Sequence, residues 1–343
     1  MTGSRTIGSS AYRTTTSSLK SQLRVGVLMG GPSSEHAISL KSGHGVVEAL
    51  TGRGWDVREL VIPKELSAEQ ALDATTQLLE QQEIHVAFIT LHGPFGEDGT
   101  VQQLCEGLQI PYTGSGVEAS RLGLDKVASR RRFEQAGLIV PRWRLLQSTA
   151  VDQIDRCIEM LRFPLVVKPT NQGSSIGISI ARHHAELLEA VECASQYDAR
   201  LLLEEFVPGR EVTVGVLGDE ALPIVEIKPH QGFFDFTAKY TPGQTDYLAP
   251  APLDNELAKR VQQAGLTAHR VIGCRHFSRA DLLLDRQQRP VVLEVNTIPG
   301  FTATSLLPKA AACVGIDYAA LCERIIEMAV AASPSTLASA PKA

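Results

Sequence analysis

Two rhythms of apolar residues divide this chain. Short runs at 23–29 (LRVGVLM), 55–62 and 85–91 predict strands, and a 3.6-residue rhythm between and after them predicts helices. One helix carries Ile38, Leu40, Val46, Val47 and Leu50, the second spans 68–81 and the third 101–108. Strands and helices in alternation open a βαβ arrangement, so residues 23–120 read as an α/β domain on a doubly wound parallel sheet. Ser33 or Ser34, after Gly30-Gly31-Pro32, is placed to cap the first helix. A longer helical pattern over 118–136 follows, then strands at 164–168, 178–180, 201–203 and 212–217 and a helix over 255–271. The last strong signal is a hairpin: 280–284 alternates, 285–289 is a polar turn, and 291–295 is apolar again. Between 231 and 252 the pattern is irregular but aromatic, with Phe233, Phe234, Phe236, Tyr240 and Tyr247. A loop of that length with such residues predicts a packed lid.

Composition changes this picture little. A hydrophobic share of 43% and a charged share of 21% are ordinary for a globular protein, and 343 residues suffice for two or three cores. A net charge of -5 speaks against nucleic acid as a partner, and no apolar run reaches the length of a membrane helix. The six cysteines form no CxxC pair, which predicts reduced cytosolic thiols, mostly in the core. Residues 1–22 are Ser/Thr-rich, carry Arg5, Arg13 and Lys20, and contain no acid, a composition that organelle transit peptides share but that reads here as a disordered tail. Residues 332–343 read as a second disordered tail.

Candidate chemistry concentrates in the hairpin. Glu294 and Asn296 are two apart and share a strand face; with Asp281 facing the same way on the neighbouring strand, three oxygen donors converge. Hard oxygen ligands suit Mg²⁺ or Mn²⁺ held together with substrate phosphates. The plainer alternative is a solvated ribbon, against which stand Arg279 on the same face as Asp281 and the Asn296–Gly300 turn, whose backbone N–H groups can form a cradle. Upstream, Lys168 ends a short strand before the loop Gly173-Ser174-Ser175-Ile176-Gly177, where glycines let backbone N–H groups approach phosphate oxygens. Glu204, Glu205 and Glu211 flank a strand junction at which a carboxylate and backbone could meet an adenine and a ribose. Glu35 and His92 both stand just past strand ends, the crevice position of an α/β sheet, although a helix-dipole role for one and a structural role for the other are equally available. Lys126 carries no meaning alone, and Arg130-Arg131-Arg132 reads as a solvated helix face.

Taken in order, the segments LMGGPSSEHAISL, LHGPFGEDGT, PYTGSGVEAS, LDK, VVKPTNQGSSIG, LEEFVPGREVTV, FFDFTAKY, RADLLL and LEVNTIPGFTATSLLP resemble the D-alanine–D-alanine ligase family from about residue 23 to residue 330. The resemblance implies a three-domain ATP-grasp fold: an N-terminal domain at 23–120, a central ATP-binding part at 121–210, and a C-terminal part at 211–331 that carries the lid at 231–252 and the metal site. It implies that Lys126 and Lys168 hold ATP phosphates under the loop containing Gly173, Ser174 and Ser175. Glu204 and Glu205 with Phe206 and Val207 would take the adenine, and Glu211 the ribose. Asp281, Glu294 and Asn296 would hold two Mg²⁺ or Mn²⁺ ions. Glu35, with His92 close by, would bind the amine of the first D-alanine; Arg279 and the Gly300 N–H would stabilise the oxyanion; Ser305 and Leu306 would receive the second D-alanine. Lys239 and Tyr240 would lie on the lid, closed through a Tyr240–Ser174–Glu35 triad. The implied reaction is ATP-dependent ligation of two D-alanines through an acyl phosphate, for peptidoglycan precursors, by a cytoplasmic homodimer.

Two departures stand out. Phe234 and Phe236 replace frequent tyrosines of the lid, and Glu205 stands where a lysine is frequent. The AKY tyrosine, Tyr240, favours an amine over a hydroxy acid as second substrate. D-Serine or D-lactate as acceptor is the competing enzymatic reading, and a nucleotide sensor or a dinucleotide oxidoreductase the competing classes. The intact Arg279, Asp281, Glu294 and Asn296 argue against a sensor, and the missing GxGxxG against an oxidoreductase.

Overall fold

The structure, a computed structural model, describes residues 19–147, 149–173, 175–230 and 243–332. β1 (Arg24–Gly30), β2 (Asp56–Ile62) and β3 (Val86–Ile89) form a parallel sheet in the order β2-β1-β3. α1 (His36–Gly52) and α2 (Ala68–Gln81) cross between them, and α3 (Thr100–Gly107) follows. From Val25 onward β1 is apolar because both faces are covered. Val25, Val27 and Met29 enter one core and Leu28 enters the other. Neither Ser33 nor Ser34 caps α1. Glu35 holds the cap position without a side-chain capping bond, while buried Ser33 donates to His92 O at 2.7 Å and accepts from Glu35 N at 3.2 Å. That serine ties together the two turns at the strand ends, which only the folded sheet makes neighbours.

The helix predicted over 118–136 is two helices, α4 (Val117–Leu124) and α5 (Lys126–Gln135). Asp125 breaks them apart: its backbone is extended, and its Oδ1 accepts from Val127 N at 2.8 Å and Ala128 N at 2.9 Å. A side-chain cap outweighs one more helical residue here. β4 (Trp143–Leu146), α6 (Val151–Ile158), β5 (Leu165–Pro169), β6 (Ser179–Ala181), α7 (His184–Ser195) and β7 (Leu201–Glu205) follow, with the strands in an antiparallel sheet of order β4-β7-β5-β6. Its core is its own, built on Leu165, Val167, Leu187 and Leu203.

The third sheet has the order β11-β10-β8-β12-β13, with β9 beside β8. Its strands are β8 (Gly209–Leu217), β9 (Glu220–Ala221), β10 (Val225–Pro229), β11 (Thr245–Leu248), β12 (Phe277–Asp285) and β13 (Pro290–Asn296); α8 (Asn255–Ile272), α9 (Leu306–Ala312) and α10 (Tyr318–Ala331) complete the chain. β11 lies inside the stretch read as irregular. Four residues are too few to show a period, and the strand exists because β10 offers it backbone partners from Glu226 to Pro229. Lys239 and Tyr240 lie outside the described residues, as does Ser174.

Cores do not follow chain order. Leu306, Leu307, Ile325, Ile326 and Val330 share a cluster with Val25 and Phe88, so the C-terminal helices close one face of the N-terminal sheet. Ala119 and Phe133 pack instead with Val214, Leu282 and Val292 of the third sheet. All six cysteines are free; only Cys105 and Cys322 are buried, so the expectation of mostly core thiols fails for Cys157, Cys193, Cys274 and Cys313. Among the described residues no helix is long and apolar enough to cross a membrane.

Two buried histidines near the third sheet set an acid limit on stability. Burial pushes His269 and His276 down to about 4, and neither ring nitrogen of His276 has a partner among the described residues. Between that value and the ordinary histidine pKa the unfolded chain binds protons that the folded chain does not. Their contribution is therefore complete above the ordinary value and lost as pH falls. The urea midpoint of the parent is expected to fall from pH 7 to pH 5, and that of a His276→Asn variant to fall less. Equal falls would remove His276 from the account.

Candidate functional site

Three strand ends and one helix start bring the predicted residues together. β12 and β13 are antiparallel, with Asp281 opposite Glu294 and Arg279 opposite Asn296, and a register shift follows Asp281. Asp281 is buried. Its Oδ1 accepts from Arg279 Nε and from Thr213 Oγ1, both at 2.8 Å; its Oδ2 accepts from Arg279 Nη2 at 2.8 Å and from Asn296 Nδ2 at 3.0 Å. The fork of Arg279 is thus spent on Asp281, a bidentate pair that fixes both side chains. Glu294 stands 3.6 Å from Lys126 Nζ. The hairpin seen in the sequence therefore does collect Asp281, Glu294 and Asn296, with Arg279 and Lys126 at its edges.

This donor set suits a hard cation. It contains two carboxylates and an amide oxygen, on adjacent strands whose facing residues are in contact range. No group of three or more His, Cys, Asp or Glu side chains able to hold a metal occurs among the described residues. A dedicated protein cage is thereby absent from them. Mg²⁺ bound through one or two carboxylates, with substrate phosphates completing its shell, needs none.

Lys126 opens α5, and its position explains why it had no meaning in the linear sequence. Its N–H donates to Thr170 O at 3.1 Å and its Nζ to Gln172 O at 2.6 Å, so the helix start holds the entry of the glycine loop. Asp198, which sequence reasoning missed, holds the same entry from the other side. Its Oδ2 accepts from Thr170 N at 3.0 Å, Thr170 Oγ1 at 2.7 Å, Asn171 N at 3.0 Å and Asn171 Nδ2 at 3.2 Å. Burial works against that carboxylate, but the Arg200 N–H, 2.9 Å from its Oδ1, together with these donors outweighs it and keeps it below the usual range. Gly177 has φ +69°, and a Cβ there would stand 2.8 Å from the Tyr197 ring, so the far end of the loop requires glycine.

Lys168 does not point alone towards that loop. Its Nζ lies 2.7 Å from Glu204 Oε2, and Arg130 Nη2 donates to Glu204 Oε1. Arg130 is 1% exposed, so the expectation of a solvated arginine face fails at this position. The cause is tertiary: the turn of α5 bearing Arg130 faces β7 and β13, which the linear pattern could not show. Burial raises the cost of charging Glu204, yet Arg130, Lys168 and Lys126 together hold its pKa below the usual range. Glu205 accepts from Arg162 N at 3.1 Å, and Phe206 N donates to Pro164 O at 2.8 Å. Val207 follows β7, Glu211 lies on β8 opposite Ile227 of β10, and Ser175 has φ +59°.

The N-terminal sheet supplies the opposite wall. A Cβ built on Gly93 would lie 3.0 Å from Glu35 Oε2, and one built on Gly173 3.1 Å from the same atom, so Glu35 sits between the His92 turn and the glycine loop. His92 is buried, with Nδ1 3.1 Å from Ile298 O and Nε2 3.4 Å from Ser42 Oγ. Burial presses its pKa down against the pull of Glu35, with Arg279 adding to the depression, so the ring is held neutral. Ser42 Oγ also accepts from Phe301 N at 3.3 Å, which ties the Gly300 turn to α1. Ser305 stands at the N-cap position of α9 without a side-chain capping bond, its Oγ accepting instead from Thr302 N at 3.0 Å; Leu306 beside it is buried. Glu97 was the second residue missed. It accepts from Gly93 N at 2.7 Å, and burial together with the Glu35 charge pushes it up to about 8. It stands five residues after His92 in a Gly-rich turn, and a lone glutamate in a turn carries no signal that the fold will set it half-buried beside Glu35.

Comparison with known proteins gives this arrangement relatives. A family model described as "D-ala D-ala ligase C-terminus" matches residues 132–327, and one described as "D-ala D-ala ligase N-terminus" matches residues 63–115. A D-alanine–D-alanine ligase of Syntrophotalea carbinolica is 44% identical over 305 residues, covering 89% of this chain and 95% of the relative. One of Geobacter sulfurreducens is 43% identical over 304 residues, covering 88% and 93%. Among solved structures, the Bacillus anthracis D-alanine–D-alanine ligase complexed with ATP aligns with a TM-score of 0.77 at 31% identity, over 91% of this chain and 99% of that one. The VanG D-Ala:D-Ser ligase of Enterococcus faecalis aligns with a TM-score of 0.78 at 30% identity, over 90% and 100%.

Proposed function

The chain belongs to the D-alanine–D-alanine ligase family, and on that premise we propose that it joins two D-alanines to D-alanyl-D-alanine, forming ADP and phosphate from ATP, as a step towards peptidoglycan precursors. The observation that carries the reading is the convergence of Asp281, Glu294, Asn296, Arg279 and Lys126 beside the glycine loop that reaches Glu35. Two carboxylate-bearing strands, two lysines and an arginine form a site for phosphoryl transfer, where positioning and charge neutralisation do most of the work.

On this reading the carboxylate of the first D-alanine attacks the γ-phosphoryl group of ATP, giving an acyl phosphate and ADP. The amine of the second then attacks the acyl carbon, and the tetrahedral intermediate expels phosphate. Glu35 holds the ammonium of the first D-alanine, and His92, kept neutral, orders that corner without adding a cation beside it. Lys126 and Lys168 neutralise phosphate oxygens. Arg279 and the Gly300 N–H face the oxygen on which charge develops, and Ser305 with Leu306 seats the second amino acid. Asp281, Glu294 and Asn296 are the side chains that would hold two Mg²⁺ or Mn²⁺ ions, which when bound neutralise the β- and γ-phosphate charge. Glu204, Glu205, Phe206, Val207 and Glu211 form the nucleoside end. The segment around Lys239 and Tyr240, with Ser174, acts as the cover that excludes water from the acyl phosphate. We further propose, as the family resemblance implies, that the enzyme works as a homodimer in the cytoplasm.

A second acceptor is a specific alternative, because a D-Ala:D-Ser ligase aligns as well as a D-alanine–D-alanine ligase does. The test is phosphate release from ATP and Mg²⁺ with D-alanine alone, then with D-serine or D-lactate added, the products being identified by mass. D-Alanyl-D-alanine as the main product is expected. A mixed product formed in preference to it would overturn the choice of acceptor, and absence of any D-alanine-dependent phosphate release would overturn the ligase reading.

A further inference from the structure

Arg130 is a buried charge that the ligation chemistry leaves unused. It follows Lys126 by four residues on α5, so the two share a helix face. Lys126 reaches the glycine loop, whereas Arg130 is enclosed. The guanidinium is forked between two sheets. Nη2 donates to Glu204 on β7, and Nη1 donates at 2.8 Å to Val292 O on β13, two residues before Glu294. Its Nε has no partner among the described residues. What this geometry secures is a permanent positive charge against the inner oxygen of Glu204.

Glu204 has a second cation, Lys168, on its other oxygen at 2.7 Å. The two cations differ in freedom. Lys168 is the penultimate residue of β5, which leads into the glycine loop, and carries a flexible stem, while Arg130 is pinned at both ends of its fork. A lysine that serves a phosphate must turn at least part of its ammonium away from Glu204. With no other partner, the 1% exposed Glu204 carboxylate would then be a buried, uncompensated charge.

Resting on the ligase reading above, we propose that Arg130 is a positioning residue for ATP: it is the fixed counter-ion of Glu204, which frees Lys168 to engage a nucleotide phosphate, and it pins the nucleotide-bearing β7 against the metal-bearing β13. Arg130 touches no substrate and acts through Glu204 and Lys168. The low pKa of Glu204 agrees with this, since the carboxylate stays ionised despite burial.

The test compares Arg130→Met and Arg130→Lys with the parent by titration with a non-hydrolysable ATP analogue and Mg²⁺, by KM and kcat for ATP, and by thermal unfolding. Arg130→Met is expected to weaken analogue binding and raise KM for ATP by about tenfold or more, with Arg130→Lys within about threefold of the parent. In a Glu204→Gln background, where no carboxylate needs a counter-ion, adding Arg130→Met is expected to change affinity by less than about threefold. Unchanged analogue affinity in Arg130→Met would overturn the proposal whatever its thermal stability. So would an equal loss in both backgrounds, because Arg130 would then act without Glu204. Should Arg130→Met not fold, Arg130→Gln, which keeps donors without charge, takes its place in both comparisons. The titration contains no amino acid, so a failed ligation assay with the expected titration result counts against the substrate reading alone.

Discussion

Glu294→Gln is expected to lower kcat by about 10³-fold, since losing a carboxylate that supports the metal removes roughly 4 kcal/mol of charge stabilisation. The substitution keeps shape and hydrogen-bonding capacity, so the strand pairing of Glu294 with Asp281 should persist and thermal unfolding should shift by only a few degrees. Lys126, 3.6 Å from Glu294, loses its neighbouring charge at the same time. The sharper readout is therefore the Mg²⁺ concentration at half-maximal rate, which should rise together with the loss in kcat. Parental turnover at ordinary Mg²⁺ would remove Glu294 from the metal site. A fall in kcat with an unshifted Mg²⁺ midpoint would move its role to Lys126.

Arg279→Met should be nearly as damaging, by about 10²–10³-fold in kcat, the usual cost of removing one oxyanion donor. Two effects combine here. Arg279 is the proposed partner of the developing oxyanion, and in this structure its Nε and Nη2 hold both oxygens of Asp281 at 2.8 Å. Arg279→Lys should recover only part of the rate, because an ammonium cannot reproduce the planar fork. Trapping the acyl phosphate with hydroxylamine separates the roles. A variant that accumulates trappable acyl phosphate but makes little dipeptide has lost the second step. One that forms neither has lost the arrangement of Asp281. Parental dipeptide formation would reduce Arg279 to neither role.

The two results bear on how the site is wired. Arg279 and Asp281 occupy one strand, Glu294 and Asn296 the next, and Lys126 and Arg130 come from a helix far away in the sequence. The cations that the chemistry needs are also the ion-pair partners of the carboxylates that the site depends on. That double use makes substitutions on either side of a pair non-additive.

The local rhythm of the chain determined most of its elements. The continuous apolar strands, the helix over Ala68–Gln81 and the hairpin of β12 and β13 follow from periodicity alone, because side-chain direction along a strand or helix is set by the backbone. The convergence of Asp281, Glu294 and Asn296 was legible for the same reason, and the ordered motifs supplied the remaining proposed site residues through resemblance alone. What the tertiary structure decided concerns residues whose environment comes from distant segments. Arg130 read as solvated, yet it is buried because α5 packs between β7 and β13. Asp198 and Glu97 were silent because a carboxylate's role depends on which backbone N–H groups it meets, here those of Thr170, Asn171 and Gly93. Asp125 split a helix, and Ser33 left its cap to bridge two turns. Periodicity records which side of an element faces inward; the partner waiting there is fixed only when the sheets come together.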